Sequence, residues 1–512
     1  MRFRGPLADR YSAAVTLVLL ALTPYLVLTT ALQPLLTMIG SDLGLSSRAL
    51  QLTTGMSNAA YAVGAVLAAQ LASRLRPRRL LVIYAVLFVI GSVMAAWSPT
   101  SGFFIAGHVL QGLTTGLMLI AAVPPLVLRW GKDKLPSTAV VMNIGIFGAV
   151  AVGPVVGGVS GGTETWRPLL WIVAALGAAT VLFALLTYED QEPQDPEAPV
   201  DMIALGLAAA GCASAFFGVS ELMDRQATDL VVLAPLIAGA AMLVALVTHE
   251  WRTRDPLIPV RQLAHTIPVA AIIVAMTAGA ASVALVQLAQ VGLQLKGASP
   301  DHAGMLFWPE VAMALVAALL FGRMLRGRWT ALLPVAGLVV LCGSAAVLTG
   351  AARGGDALVI VGSGMVGFGV GASVSPALFL TGFSLRSTQL PRVFAFIELL
   401  RGFSAFLLGP ALLQLAMTAT SSTPIGLRTA TWVAGAIALI GLIAAVGIGL
   451  TGRIRLRAPD LDRWFAGDGP AIPSEPIGAS VRGGGDPPAA PPGDRPADHP
   501  RSRSNVHTHT AP

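Results

Sequence analysis

Fourteen stretches of this chain are apolar for long enough to cross a bilayer, near residues 13–38, 51–72, 80–97, 101–128, 138–160, 168–187, 202–221, 229–249, 267–290, 303–324, 330–350, 356–382, 391–416 and 428–450. A membrane-spanning helix needs about 20 predominantly apolar residues to pass the hydrocarbon core. Lipid offers no partner to backbone N–H and C=O groups, so only helices or closed barrels can span it. Period-two alternation is absent, and the stretches read as helices. Composition agrees: 12% of the 512 residues are charged, about half the density of a soluble globular chain. The expected fold class is therefore all-α integral membrane, with about fourteen transmembrane helices.

Lys and Arg set the orientation. With the N-terminus inside, the cytoplasmic connections hold fifteen of them: Arg74, Arg76, Arg78, Arg79; Arg129, Lys132, Lys134; Arg252, Arg254, Arg261; Arg323, Arg326, Arg328; Arg386 and Arg392. The opposite connections hold six: Arg48, Arg167, Arg225, Lys296, Arg353 and Arg428. Both termini are expected in the cytoplasm of a cell (inner) membrane protein. The same clusters explain the net charge of +7 without nucleic acid, since basic loops face anionic lipid. The apolar run after Met1 is too long for a signal peptide and reads as an uncleaved first span.

The expected organisation is a cytoplasmic N-terminus (1–12), a six-helix half (13–187), an acidic cytoplasmic linker (188–201), two additional helices (202–249), a second six-helix half (250–450) and a cytoplasmic, largely disordered tail (451–512). From about Arg463 the tail is rich in Pro, Gly, Asp and Arg and reads as disordered. Internal repetition supports two related halves. Gly107, Gly112, Gly116 and a following Pro124 in the fourth stretch match Gly362, Gly367, Gly371 and Pro376 in the twelfth, at the same glycine spacings. Small residues of this kind let helices approach closely. The twelfth stretch has no preceding strand and no phosphate-binding Lys, so no nucleotide loop and no cofactor is expected.

Several motifs carry a family resemblance. Gly148-Ala149-Val150-Ala151-Val152-Gly153-Pro154-Val155-Val156-Gly157-Gly158 is similar to the antiporter signature of drug-exporting major facilitator proteins, and Trp166-Arg167 follows at the family's usual place. The loop Leu71 to Arg79, with Arg74, Arg78 and Arg79, resembles the superfamily's cytoplasmic gating-loop motif. Leu110-Gln111-Gly112, Arg254-Asp255-Pro256-Leu257-Ile258-Pro259 and Gly297-Ala298-Ser299-Pro300 fit further positions. The resemblance covers nearly all of residues 13–450 and is to the fourteen-span drug:proton antiporters. It implies a major facilitator fold, alternating access and proton-coupled efflux of a drug or natural product. The chain departs from the pattern where relatives carry charges: Ala69, Ser73 and Arg76 replace Gly, Asp and Gly in the loop motif, Leu28 stands for a first-helix Asp, and His108 for a fourth-helix Arg.

Polar residues in spanning helices are costly and therefore informative. At helical spacing, Thr23, Thr30, Gln33 and Thr37 share a face of the first helix, His108, Gln111 and Thr115 of the fourth, and Gln287, Gln290 and Gln294 of the ninth. By resemblance these helices, with the twelfth, line the central cavity. Thr30, Gln33, Gln111, Thr115, Gln287, Gln290 and Gln294 are the expected substrate contacts, against the alternative of hydrogen bonding between helices. Glu310, Glu398 and His108 are the proton-coupling candidates, and Arg401, spaced i, i+3 from Glu398, is its expected charge partner. The expected partners are the lipid bilayer, protons and a small molecule, in a monomer. No metal-ligand pair and no nucleophile–base arrangement is present in the sequence, so an enzyme is not expected. An importer or uniporter, and a transporter-like membrane sensor, are the alternative functions; the Gly-Pro signature favours export.

Overall fold

The computed structural model describes residues 5–477 apart from 164, 189–191, 193–196, 198, 255, 419–422 and 455. Most of the acidic linker 188–201 lies outside the described residues, as does everything beyond 477. The long helices in chain order are α1 (Tyr11–Ala31), α2 (Ser47–Arg74), α3 (Pro77–Trp97), α4 (Ser101–Arg129), α5 (Gly131–Gly162), α6 (Arg167–Thr187), α7 (Met202–Glu221), α8 (Leu230–Arg252), α9 (Thr266–Leu295), α10 (Pro300–Met324), α11 (Leu333–Gly354), α12 (Asp356–Phe383), α13 (Leu390–Thr418) and α14 (Thr423–Thr451). Among the described residues, thirteen helices are long and apolar enough to cross a membrane, and α2 is the long helix that falls short. The reason is its surroundings. It packs against α4, α7 and α13, and so it carries Gln51, Thr54, Asn58 and Tyr61, which a lipid-facing helix could not satisfy.

The three-glycine repeat makes the same pair of contacts twice. In α4, Gly107 faces Gly91 and Ala95 of α3, while Gly112 and Gly116 face the backbone of Ser57 and Tyr61 in α2. In α12, Gly362 faces Leu348 of α11, while Gly367 and Gly371 face Glu310 and Ala317 of α10. A Cβ at any of these positions would enter the neighbouring helix.

Two seams join the helices before the linker to the set α9–α14. One is α2 against α13; the other is α5 against α10. Helix α5 widens into a π-helical turn over Ile144–Gly148 before the glycine-rich run. Such turns frequently occur at functional sites.

The expectation that the chain loses structure from Arg463 onward is corrected for residues 463–477. A short helix, α15 (Leu461–Ala466), is capped by Asp460, whose side chain accepts from the Arg463 N–H. Trp464 is fully buried, and its indole N–H donates to the carbonyls of Gly382 and Leu385 at 3.2 and 3.0 Å. Ile472 N–H donates to Phe383 C=O, and Thr266 N–H to Glu475 C=O. Lys132 at the start of α5 pairs with Asp462 at 2.6 Å. Burial of one large aromatic together with these backbone bonds outweighs the unfavourable composition around it.

Candidate functional site

The antiporter-like run of α5 is a packing surface with one polar consequence. Pro154 has no N–H and cannot bond the carbonyl of Val150, four residues earlier. The Thr30 hydroxyl of α1 donates to that carbonyl at 2.7 Å. Gly153 and Gly157 sit against Val27, Thr30 and Ala31 of α1, and Gly158 against Pro300 and Gly304 of α10. Gly148 closes the π-turn. The motif therefore brings α1, α5 and α10 into backbone contact where the halves meet.

Two narrow pockets lie at this centre. The first, about 20 Å³, is lined by Thr30, Phe147, Gly279, Ser282, Glu310 and Arg401, among others. The second, about 40 Å³, is lined by Thr30, Gln33, Gln51, Asn58, Gln287 and Gln290, among others. These volumes hold water, not a drug-sized molecule, which needs roughly 300 Å³ or more. The centre is thus closed around a polar seam.

Glu310 directly follows Trp308-Pro309 within α10, 4% exposed, and its Oε2 has no hydrogen-bond partner among the described residues. Glu398 and Arg401 of α13 form a buried pair at 2.6 Å, 1% and 4% exposed. The Tyr61 hydroxyl of α2 donates to Glu398 Oε2 at 3.1 Å, and the Arg401 guanidinium lies 5.4 Å from the centre of the Phe147 ring. Arg401 and Glu310, expected to act separately, line one pocket.

The sequence-derived stripes divide. Thr30, Gln33, Gln287 and Gln290 converge on the second pocket. Gln294 is exposed near the end of α9 and does not line it. The α4 stripe turns away from both pockets: Gln111 donates to Ser92 of α3 at 3.0 Å, and Thr115 donates to the Gln111 carbonyl within its own helix. His108 Nδ1 lies 3.0 Å from Gln111 Oε1, between the rings of Tyr25 and Phe104. Because the Gln111 amide nitrogen donates to Ser92, its oxygen is the acceptor and the histidine nitrogen the donor. Arg74 ends α2, and Arg78 and Arg79 begin α3, so these three arginines stand at the turn between the two helices.

Helix α2 supplies polar residues that were not singled out. The Tyr25 hydroxyl bonds Ser57 Oγ at 2.8 Å and donates to Asn58 Oδ1 at 3.2 Å. Gln51, Thr54, Asn58 and Tyr61 recur at helical spacing on one face. That periodicity, in a helix too polar for lipid, was the available signal.

A bundle of long apolar helices around an ionisable, closed polar centre is the architecture of a multi-pass membrane protein. The chain matches the Major Facilitator Superfamily over residues 18–410 and belongs to that family. It is 28% identical over 312 residues to the multidrug resistance protein B homolog of Mycobacterium tuberculosis, 60% of this chain and 57% of that protein. It is 28% identical over 320 residues to the drug efflux pump JefA of the same species, covering 61% and 62%. Over 323 residues it is 28% identical to the probable actinorhodin transporter of Streptomyces coelicolor, covering 59% and 54%. The matched stretches thus span less than two thirds of each of these relatives. Its fold resembles that of a human organic anion transporter, with a TM-score of 0.59 and 14% identity over 85% of this chain and 100% of that one. It also resembles a peptide transporter crystallised with sulfate, with a TM-score of 0.61 and 16% identity over 87% and 96%.

Proposed function

We propose that the protein is a proton-coupled exporter of a drug or natural product, of the fourteen-span type, working by alternating access. The observation that carries the reading is Glu310. Its carboxyl has an oxygen without a partner, in a water-sized pocket that it shares with Arg401, on the boundary between the two sets of helices. A carboxyl in that position can take a proton from one side and release it to the other as the seam opens and closes. Efflux is supported by the antiporter-like run of α5 and by the names of the relatives. In this reading α2 is the fourteenth span, α7 and α8 are additions between two six-helix halves, both termini face the cytoplasm, and the protein acts as a monomer. The polar groups of the second pocket offer hydrogen bonds without fixed negative charge, which suits a neutral amphipathic solute better than a permanent cation.

Purified protein in proteoliposomes, given a pH gradient and chloramphenicol as a neutral test solute, is the direct experiment. Gradient-driven accumulation is expected in the wild type. Glu310→Gln should abolish the dependence on the gradient while retaining binding. Gradient-driven transport at the wild-type rate in Glu310→Gln would remove Glu310 from the coupling step and leave Glu398 as the candidate.

A further inference from the structure

A second, larger space lies away from the closed centre. It is a cavity of about 710 Å³ at the cytoplasmic ends of α1, α2, α3, α4 and α6, roofed by the turn that leads into α13. Its walls include Leu17, Val18, Leu80, Ile120 and Leu126. From Arg129 at the end of α4 to Ile120 it runs about 13 Å into the membrane, at a rise of 1.5 Å per residue. A volume of this size suits a drug-sized molecule.

Three buried polar atoms on its wall have no hydrogen-bond partner among the described residues: Tyr84 Oη, Thr187 Oγ1 and Gln389 Oε1. Tyr84 and Thr187 are 4% and 3% exposed. Buried polar groups are ordinarily paired, and each exception calls for an explanation. Pro124 and Pro125 interrupt α4 beside the cavity, which deprives the carbonyls of Ile120 and Ala121 of their helical donors. The Tyr188 hydroxyl takes Ala121 C=O at 2.7 Å; Ile120, whose helical donor Pro124 removes, lines the cavity. The charged residues of the lining, Arg129, Glu192 and Arg392, are of both signs and stand at the cytoplasmic mouth. A charge placed deeper would be unpaired and costly.

We propose that this cavity is a binding site for an uncharged amphipathic organic molecule bearing a hydroxyl or amide donor, which it receives from the cytoplasm. The apolar body lies against Leu17, Leu80 and Ile120, and the donor reaches the Tyr84–Thr187 edge. As a loading site for the exported compound it rests on the efflux reading above, and it is separate from the Glu310 pocket.

The probe is 4-hydroxybenzophenone, an uncharged phenol that crosslinks on illumination, applied to the full chain in lipid nanodiscs at a pH of about 6, below the ionisation range of a phenol. Peptide mapping should place the label on the cytoplasmic parts of α1, α3 and α4. Tyr84→Phe and Thr187→Val, which keep the packing shape, should each reduce it about five-fold, the worth of one neutral hydrogen bond. Ala72→Trp, which fills the cavity, should abolish it. Equal labelling by unsubstituted benzophenone, unchanged in Tyr84→Phe, would mark a slot for a lipid chain and overturn the proposal. So would label confined to Gln287 and Gln290 or spread over the lipid-facing helices. Labelling needs no gradient, so the two readings fail separately. Label at the site without gradient-driven transport would sink efflux alone, and transport without label would sink this site alone.

Discussion

The two seams between the helix sets are built from opposite materials. Along α5 and α10 backbone meets backbone: a Cβ on Gly158 would lie 2.5 Å from the Pro300 carbonyl oxygen and 2.7 Å from Gly304 Cα. Along α2 and α13 side chains meet: the buried Glu398–Arg401 pair lies within α13, and the Tyr61 hydroxyl of α2 reaches across to donate to Glu398. A dry seam of small residues holds by close packing and loses it gradually as the helices part. A polar seam holds by directional bonds that are made or broken, and breaking them leaves groups that need new partners. In the alternating-access reading proposed above, the first serves as a surface to roll on and the second as a latch with discrete states.

The strongest way to break this contrast is to remove one half of the latch. Arg401→Ala leaves Glu398 buried without its cation and should lower stability by about 3–5 kcal/mol, read from thermal unfolding of purified protein. The double variant Glu398→Gln/Arg401→Leu should recover most of that loss. A double variant no better than Arg401→Ala would mean that packing, not charge, holds this seam. A side chain forced into the dry seam comes next. Gly158→Leu should cost about 1–3 kcal/mol by overpacking and slow transport while leaving solute binding intact; unchanged transport would show that the seam does not need backbone contact. The smallest effect is expected at the flank of the polar seam, where Gln70 of α2 donates to the Asp201 carbonyl at 3.1 Å. Burial pushes the Asp201 carboxyl up, but the hydrogen bond from the Ala204 N–H and that with His249 together outweigh it and hold it below its ordinary value. A carboxyl depressed in the folded state contributes stability above its unfolded value, near pH 4, and loses it as pH falls through the folded value. Asp201→Ala should therefore cost about 0.5–1 kcal/mol near neutrality, the worth of a helix N-cap, with the gap to wild type closing below about pH 4. A gap that persists in acid would assign the effect to packing.

Much of the fold was legible in the sequence because lipid enforces a simple rule on each segment: among the described residues, thirteen of the fourteen stretches fall on helices long and apolar enough to cross a membrane, and 51–72 falls on the more polar α2. The glycine repeat was legible for a related reason: a missing Cβ is useful only where another helix comes close. The site was read less completely. Periodicity identifies a face but not what covers it. The α4 stripe and the α9 stripe have the same spacing, yet Gln111 meets Ser92 while Gln287 and Gln290 meet the central pocket. Nothing local distinguishes them, since the difference lies in where α3 and α13 run. The role of Thr30 depended on a gap in the helix ladder at Val150, which becomes visible only when Pro154 and α1 are seen together. The ordered segment after Arg463 was obscured by its Pro, Gly and Asp, and the adjacent Trp464 and Phe465 were the contrary sign.

That segment also bears on the order in which the molecule can be completed. Residues 460–477 dock on the end of α12 and the beginning of α9, positions made long before them during synthesis. Domains form from the N-terminus as the chain emerges, so the last helices are already in the membrane when Trp464 arrives. Until then Gly382 and Leu385 present carbonyls that the indole will occupy, and Phe383 shows an uncovered ring. The strap is therefore a closing stitch: a chain interrupted before it would carry all the long helices and still leave the Gly382 and Leu385 carbonyls without the indole.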